Sequence, residues 1–161
     1  MRNEAEASRA LELYADTVRR ICFIHLKSYA DVEDVFQEIF LKYILYERPF
    51  ENDAHEKAWI IRVSINACKD VLKNFFRRNV ISFDKLYEEP IYLQEQESEV
   101  LDAVLRLPEK YRNTIYLHYY EGYSAVEIAR ILGKKENTIY TWLDRARKKL
   151  KEILGGELIE R

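Results

Sequence analysis

Residues 107–154 constrain this chain most. They read LPEKYRNTIYLHYYEGYSAVEIARILGKKENTIYTWLDRARKKLKEIL, three apolar periodic segments parted by turn signals at Glu121-Gly122 and at Gly133. Ser124 precedes Glu127 by three residues, with Val126, Ile128 and Ala129 filling the turn between and after them. That spacing predicts a capping box, in which each side chain satisfies a backbone N–H left unpaired at a helix start. The helix so begun has room for only about two turns before Gly133, a residue suited to the left-handed conformation of a helix end. A second helix opens near Glu136 and closes in a basic run, Arg145, Arg147, Lys148, Lys149 and Lys151. A short helix, a glycine-containing turn and a longer basic helix make a helix-turn-helix.

The rest of the chain must fit around that motif. At 161 residues, 48% of them apolar, with three prolines and four glycines, the chain suits one large or two small helical domains. The net charge of −2 alone argues against a nucleic-acid binder, but the distribution does not. Residues 1–78 balance at 13 bases and 13 acids, residues 79–100 carry one base against six acids, and residues 101–161 carry 12 bases against nine. An acidic middle thus separates two parts that each contain a basic helix. The expected fold is all-α: two small helical domains, 1–78 and 99–161, joined by an acidic linker, 79–98, that Pro90 interrupts.

Within the first domain, residues 6–28 read as a helix with Leu11, Val18 and Ile21 on its inner face, and Leu13, Tyr14 and Ile24 as further candidates for that face. A second helix starts near Asp31 and runs to about Glu47. Its apolar residues Val32, Val35, Phe36, Ile39, Phe40, Tyr43 and Ile44 recur at three and four, a broad buried stripe. Its first two turns carry Asp31, Glu33, Asp34 and Glu38 and no base. Acids there favour the helix dipole, which does not explain why Asp34, Gln37, Glu38 and Leu41 share one outward face. After Pro49 a loop of about eight residues is expected, then a third helix from near Lys57 with Trp59, Ile60, Val63, Ala67, Val71 and Leu72 inward. Arg62, Asn66, Lys69, Lys73 and Arg77 fall on its other side, and residues 62–78 hold five bases against Asp70 alone. A solvated basic face is the ordinary explanation; Asn66, a poor helix former set among those charges, favours contact with a nucleic acid.

In the last helix, Ile139, Leu143, Ala146, Leu150 and Ile153 form the docking stripe, with Trp142 beside it as packing. Asn137, Tyr140, Thr141, Asp144, Arg145 and Lys148 share the opposite face, where a recognition helix meets base edges. Arg145 suits a bidentate grip on guanine, and Arg147, Lys148, Lys149 and Lys151 suit phosphates. A helix from about Ser98 to Leu105 precedes this region, with Pro108 in the first turn of the next helix.

Catalysis, metal and membrane are not expected. His25, His55 and His118 are scattered, and no P-loop, GxSxG or HExxH motif occurs. Cys22 and His25 are three apart, but a metal needs three or four ligands and no second pair is present. The two cysteines suit buried free thiols, and no cofactor is called for. No stretch approaches the length of a signal-peptide core or a membrane span, so a soluble cytoplasmic protein is expected.

These residues resemble a known family. The stretch from Leu107 to Leu150 is similar to the C-terminal promoter-binding domain of sigma-70 factors, and DVEDVFQEIFLKYI followed by AWIIRVSINACKDVL resembles their second region. With two such domains and a short linker, the chain is similar to the extracytoplasmic-function group. The resemblance implies a sigma factor that binds core RNA polymerase, directs promoter-specific initiation and helps melt the DNA, with no covalent chemistry. It implies polymerase docking by the acidic face of the second helix, Asp31, Asp34, Gln37, Glu38 and Leu41. The minus-ten element would be met by Phe50, Asn52, Asp53 and His55, with a non-template base flipped into their loop, and by Arg62, Asn66, Lys69, Lys73 and Arg77. The minus-thirty-five element would face Asn137, Tyr140, Thr141, Asp144 and Arg145, with Arg147, Lys148 and Lys149 on phosphates. The acidic linker would thread into the polymerase near the RNA path, and an anti-sigma factor would hold the protein inactive. The family loop commonly reads F-R-G-x-S-x-F, whereas this chain has FENDAHE; an acid replaces a base and the second aromatic is missing. A sigma-like regulator that never joins polymerase is the alternative.

Overall fold

The computed structural model describes residues 1–26, 28–78 and 95–155, and the side chains of residues 75–78 and 95–98 are outside that description. Among the described residues seven α-helices form: α1 (Glu4–Leu26), α2 (Tyr29–Leu45), α3 (Asp53–Arg78), α4 (Glu95–Leu105), α5 (Glu109–Ile115), α6 (Ala125–Leu132) and α7 (Glu136–Ile153), with a π-helical turn (Tyr116–Tyr120) ending α5. No strand occurs among the described residues. The chain divides into two compact units, Met1–Ile91 and Tyr92–Arg161. Of the linker expected over 79–98, residues 79–94 lie outside the described residues, and 95–98 form the first turn of α4.

In the first unit α1, α2 and α3 pack mutually. Their shared core holds Tyr14, Val18 and Cys22 from α1, Val32, Val35, Ile39 and Tyr43 from α2, and Ile60, Ala67 and Cys68 from α3. Each aliphatic side chain so buried contributes roughly 1.5–3 kcal/mol. The first two helices end two residues earlier than expected, at Leu26 and Leu45, and all three starts differ from the sequence expectation. The first helix begins at Glu4 rather than residue 6, because Asn3 and Glu6 cap reciprocally: Glu6 N–H donates to Asn3 Oδ1 at 2.8 Å and Asn3 N–H to Glu6 Oε2 at 3.1 Å. The second begins at Tyr29, with Ser28 at its N-cap. The third begins at Asp53 rather than Lys57, because Asn52 is a cap whose Oδ1 accepts from His55 N–H at 2.8 Å and whose carbonyl accepts from Glu56 N–H at 3.1 Å.

The α2 stripe is buried as its spacing requires, with Ile44 half-buried. On α1, Tyr14, Val18, Ile21 and Ile24 are buried, but Leu11 and Leu13 are 40% and 51% exposed. Leu11 shares a side of the helix with Val18, but at that end the buried side is the one that carries Ala10 and Tyr14. On α3, Ile60 and Ala67 are buried and Trp59, Val63, Val71 and Leu72 only partly, while Ile61, Ser64, Ile65 and Cys68 are also buried. A helix packed on two neighbours buries a wider arc than a single-stripe pattern allows.

The second unit packs α7 against α4, α5 and α6. Ser124 caps α6 in a complete capping box and Gly133 ends it at φ +66°. Ile139, Leu143, Ala146 and Leu150 are buried against this frame. Ile153, expected in the same stripe, is 36% exposed in the last turn of α7. Pro108 sits just outside α5, at its N-cap.

Candidate nucleic-acid interface

The α7 helix offers its outer face to solvent because four buried residues fix its rotation. Asn137, Tyr140, Thr141, Asp144, Arg145, Lys148 and Lys149 are all exposed. Asp144 and Lys148 pair at 3.1 Å, one turn apart, a surface pair worth at most about 1 kcal/mol and easily exchanged for another partner. Thr141 Oγ1 donates to the Asn137 carbonyl one turn back at 2.9 Å. Arg147 differs from its basic neighbours. It is half-buried, its Nε donates to the Tyr119 hydroxyl at 2.6 Å, and its guanidinium carbon lies 5.7 Å from that ring's centroid. The π-helical turn supplies this partner by presenting Tyr119 toward α7, so Arg147 is tied to the fold more than the other bases of the run. Trp142 is half-buried, as expected of a packing residue, with the Lys110 ammonium 5.7 Å from its ring centroid.

The turn between α6 and α7 adds bases that the periodicity did not single out. An open cleft of about 420 Å³ lies there, bordered by Arg130, Lys134, Lys135 and Asn137. Lys134-Lys135 directly after Gly133 was the available signal: a basic pair in the turn of a helix-turn-helix.

In the first unit, Arg62, Asn66, Lys69 and Lys73 lie exposed along α3 at three- and four-residue steps. The Arg77 side chain lies outside the described residues. Loop 46–52 and the first turn of α3 bring Phe50, Asn52, Asp53 and His55 together, all exposed except Phe50, which is half-buried. Phe50 packs inward on an aromatic cluster: its ring lies 5.5 Å from Tyr46 and 6.3 Å from Tyr43, near-parallel to both, and 5.5 Å from Trp59. His55 meets it edge-on at 5.4 Å and accepts the Glu51 N–H at Nδ1, 3.0 Å away. Asp53 and His55 are thus helix residues, while Phe50 and Asn52 belong to the loop.

Beneath this loop lies a buried carboxylate. Glu56 is 5% exposed, and it accepts from the Tyr14 hydroxyl at 2.8 Å, the Tyr43 hydroxyl at 2.9 Å and Arg9 Nη1 at 2.9 Å. Burial pushes its carboxyl up, but the hydrogen bonds from Tyr14, Arg9 and Tyr43, with the Arg9 charge, outweigh that and hold it below the usual range. Burial, then the bond to Glu56, raises both phenols, Tyr43 to about 12. Arg9 also pairs with Asp53, so α1 holds the start of α3. In a sequence, Glu56 is one acid among many, since its partners lie 13 to 47 residues away.

The α2 face carries Asp31, Asp34, Gln37, Glu38 and Leu41, all exposed, and Leu45 extends it at 56% exposure. Glu33, on a different side, pairs with Arg19 at 3.3 Å, and Glu38 pairs with Lys42 at 3.2 Å. Desolvation, and behind it the Asp34 charge, raises the Asp31 carboxyl above its ordinary value. Among the described residues no group of three His, Cys, Asp or Glu is placed to hold a metal, and no helix is long and apolar enough to cross a membrane.

Two solved folds are similar over nearly the whole chain. The sigma factor RpoE in complex with the anti-sigma factor NepR from Bartonella quintana aligns with a TM-score of 0.79 at 22% identity, covering 94% of this chain and 98% of that one. CnrH in complex with the cytosolic domain of CnrY aligns at 0.69 and 21%, covering 97% and 92%. Curated protein sequences give no match. The Sigma-70 region 2 family matches residues 10–79 and Sigma-70, region 4 matches residues 97–150. One match takes in the α1–α3 bundle and the other the helix-turn-helix. The chain therefore belongs to the sigma-70 family, with regions 2 and 4 in the two-region arrangement of the extracytoplasmic-function group.

Proposed function

We propose that this sigma factor joins core RNA polymerase through the α2 face and grips promoter DNA at two points. The observation that carries this reading is the coexistence, on one three-helix unit, of an acidic α2 face and a basic α3 face. A module that only bound DNA would have no binding use for exposed Asp31, Asp34 and Glu38 gathered on one face with Gln37 and Leu41. Docking by these acids, with Gln37 and Leu41, suits a basic and partly apolar partner surface on the polymerase. Arg62, Asn66, Lys69, Lys73 and Arg77, with Phe50, Asn52, Asp53 and His55, take the minus-ten element and its melted non-template strand. Asn137, Tyr140, Thr141, Asp144 and Arg145 face the minus-thirty-five element. Lys148 and Lys149 hold phosphates with help from Lys134 and Lys135, while Arg147, tied to Tyr119, orients the helix as well as adding charge. The work is binding and local melting in the cytoplasm, with no covalent step. The complexes of RpoE with NepR and CnrH with CnrY support an anti-sigma factor as a further partner.

The test is co-purification. Asp34→Arg and Glu38→Arg should each weaken association with core polymerase at least about tenfold, as a reversed charge in a polar interface costs 1.4 kcal/mol or more, and leave binding to free promoter DNA unchanged. Undiminished association would instead indicate a DNA-binding regulator that acts without polymerase.

A further inference from the structure

Loop 46–52 is held from outside by Arg2, which stands just before the cap of the first helix. The Asn3–Glu6 capping box fixes the start of α1 and so aims Arg2 back across the end of α2. The Arg2 backbone N–H donates to the Ile44 carbonyl at 2.9 Å, and its Nη2 donates to the Arg48 carbonyl inside the loop at 2.8 Å. Its guanidinium carbon lies 4.8 Å from the Tyr43 ring centroid and 4.9 Å from that of Phe50. The Arg2 Nε is buried without a hydrogen-bond partner, so the inner edge of the guanidinium is committed to the rings, where desolvation strengthens a cation–π contact. Seven residues on, about two helical turns, Arg9 grips Glu56 and Asp53 at the far end of the same loop. The start of α1 and the residues before it thereby tie down both ends of a segment 44 to 47 residues further along the chain.

We propose that Arg2 is a positioning residue, which holds loop 46–52 in the shape that takes up the melted non-template strand. The proposal rests on the reading that this loop meets that strand. Phe50 is the ring on which His55 leans and beside which Asn52 caps α3; when Arg2 fixes Phe50 and Arg48, the exposed Asn52 and His55 side chains are displayed in one arrangement. Without the Arg2 side chain, Phe50 keeps its packing on Tyr43 and Trp59 and the Met1 ammonium keeps its exposed pair with Glu47. The loop then loses its ties to the Arg48 carbonyl and the Phe50 ring, and the strand must order it on binding. Immobilising such a segment costs affinity of about threefold to tenfold.

The experiment uses full-length protein in holoenzyme reconstituted with core polymerase, and two immobilised DNA pools. One pool is duplex throughout. The other has its non-template strand single-stranded over a randomised stretch. Arg2→Ala should lower retention on the single-stranded pool about threefold to tenfold, leave core association and duplex retention as in the unsubstituted protein, and speed amide exchange in loop 46–52. Arg2→Lys, which keeps the charge but lacks the planar face and forked donors, should recover little of the loss. Asn52→Ala and His55→Ala are the reference for the loop itself. If they weaken single-strand retention while Arg2→Ala does not, the positioning role is wrong and the loop reading stands. If none of the three alters it, the loop reading fails and takes the proposal with it. Equal loss by Arg2→Ala on both pools, with a lowered melting temperature, would reduce Arg2 to a fold-stabilising residue and overturn the proposal.

Discussion

Glu56 shows how much one side chain can depend on partners distant in the chain. Three donors from two other helices meet its carboxylate, and they hold its pKa below the ordinary 4.5 despite burial. A carboxylate with a lowered folded-state pKa stabilises the fold fully above its unfolded value, and the contribution fades as pH falls through the folded value. Glu56→Gln should therefore destabilise the first unit by about 1–3 kcal/mol at neutral pH. The gap to the unsubstituted protein should close in denaturant titrations run well below pH 4.5; a gap that widens in acid would contradict the assignment. Nothing local marks Glu56 as buried, because a helix position near a loop is as often exposed. Arg2 and Asn3 were equally silent in role, although Asn3 and Glu6 carry a capping spacing that was there to be read.

At the scale of elements, the local signals were strongest where the chain satisfies its own backbone. The α6 helix is the clearest case: Ser124 and Glu127 exchange their hydrogen bonds, the bond from the Ser124 N–H holds the Glu127 carboxyl below its usual range, and Gly133 takes the left-handed conformation. So short a helix depends on its ends. Ser124→Ala should cost about 1 kcal/mol through the lost cap, and Gly133→Ala about 1–2 kcal/mol through the left-handed backbone, each read as a lowered melting temperature of the second unit. The start of α3 went the other way. Asn52-Asp53 after Pro49 reads as turn chemistry, and the same residues serve equally as a cap and first turn. Leu11 and Ile153 show the reverse failure, since the apolar period placed them inward and the packing does not reach them.

At the scale of the molecule, opposite charges are sorted onto separate faces, so a chain with a net charge of −2 can still bind DNA in a strongly salt-dependent way. Lys148→Ala combined with Lys149→Ala should weaken holoenzyme binding across all promoter sequences and flatten the slope of log affinity against log salt by about 2. Arg145→Ala should instead change which minus-thirty-five sequence is preferred, with a discrimination of about 1–3 kcal/mol lost at one base. Uniform loss over a promoter library in the Arg145 case would exclude base reading there. The all-helical class, the helix-turn-helix and the buried stripes of α2 and α7 were legible in residue order, because each rests on contacts within a turn or two of helix. Contacts across the bundle decided the rest: the burial of Glu56, the inward packing of Phe50, the tether from Tyr119 to Arg147 and the clamp of Arg2 and Arg9 on the α2–α3 loop. Apart from the Phe50 packing, whose ring partners lie 4 to 9 positions away, those pairings join residues 13 to 47 positions apart, and no local period or cap encodes which distant side chains will meet.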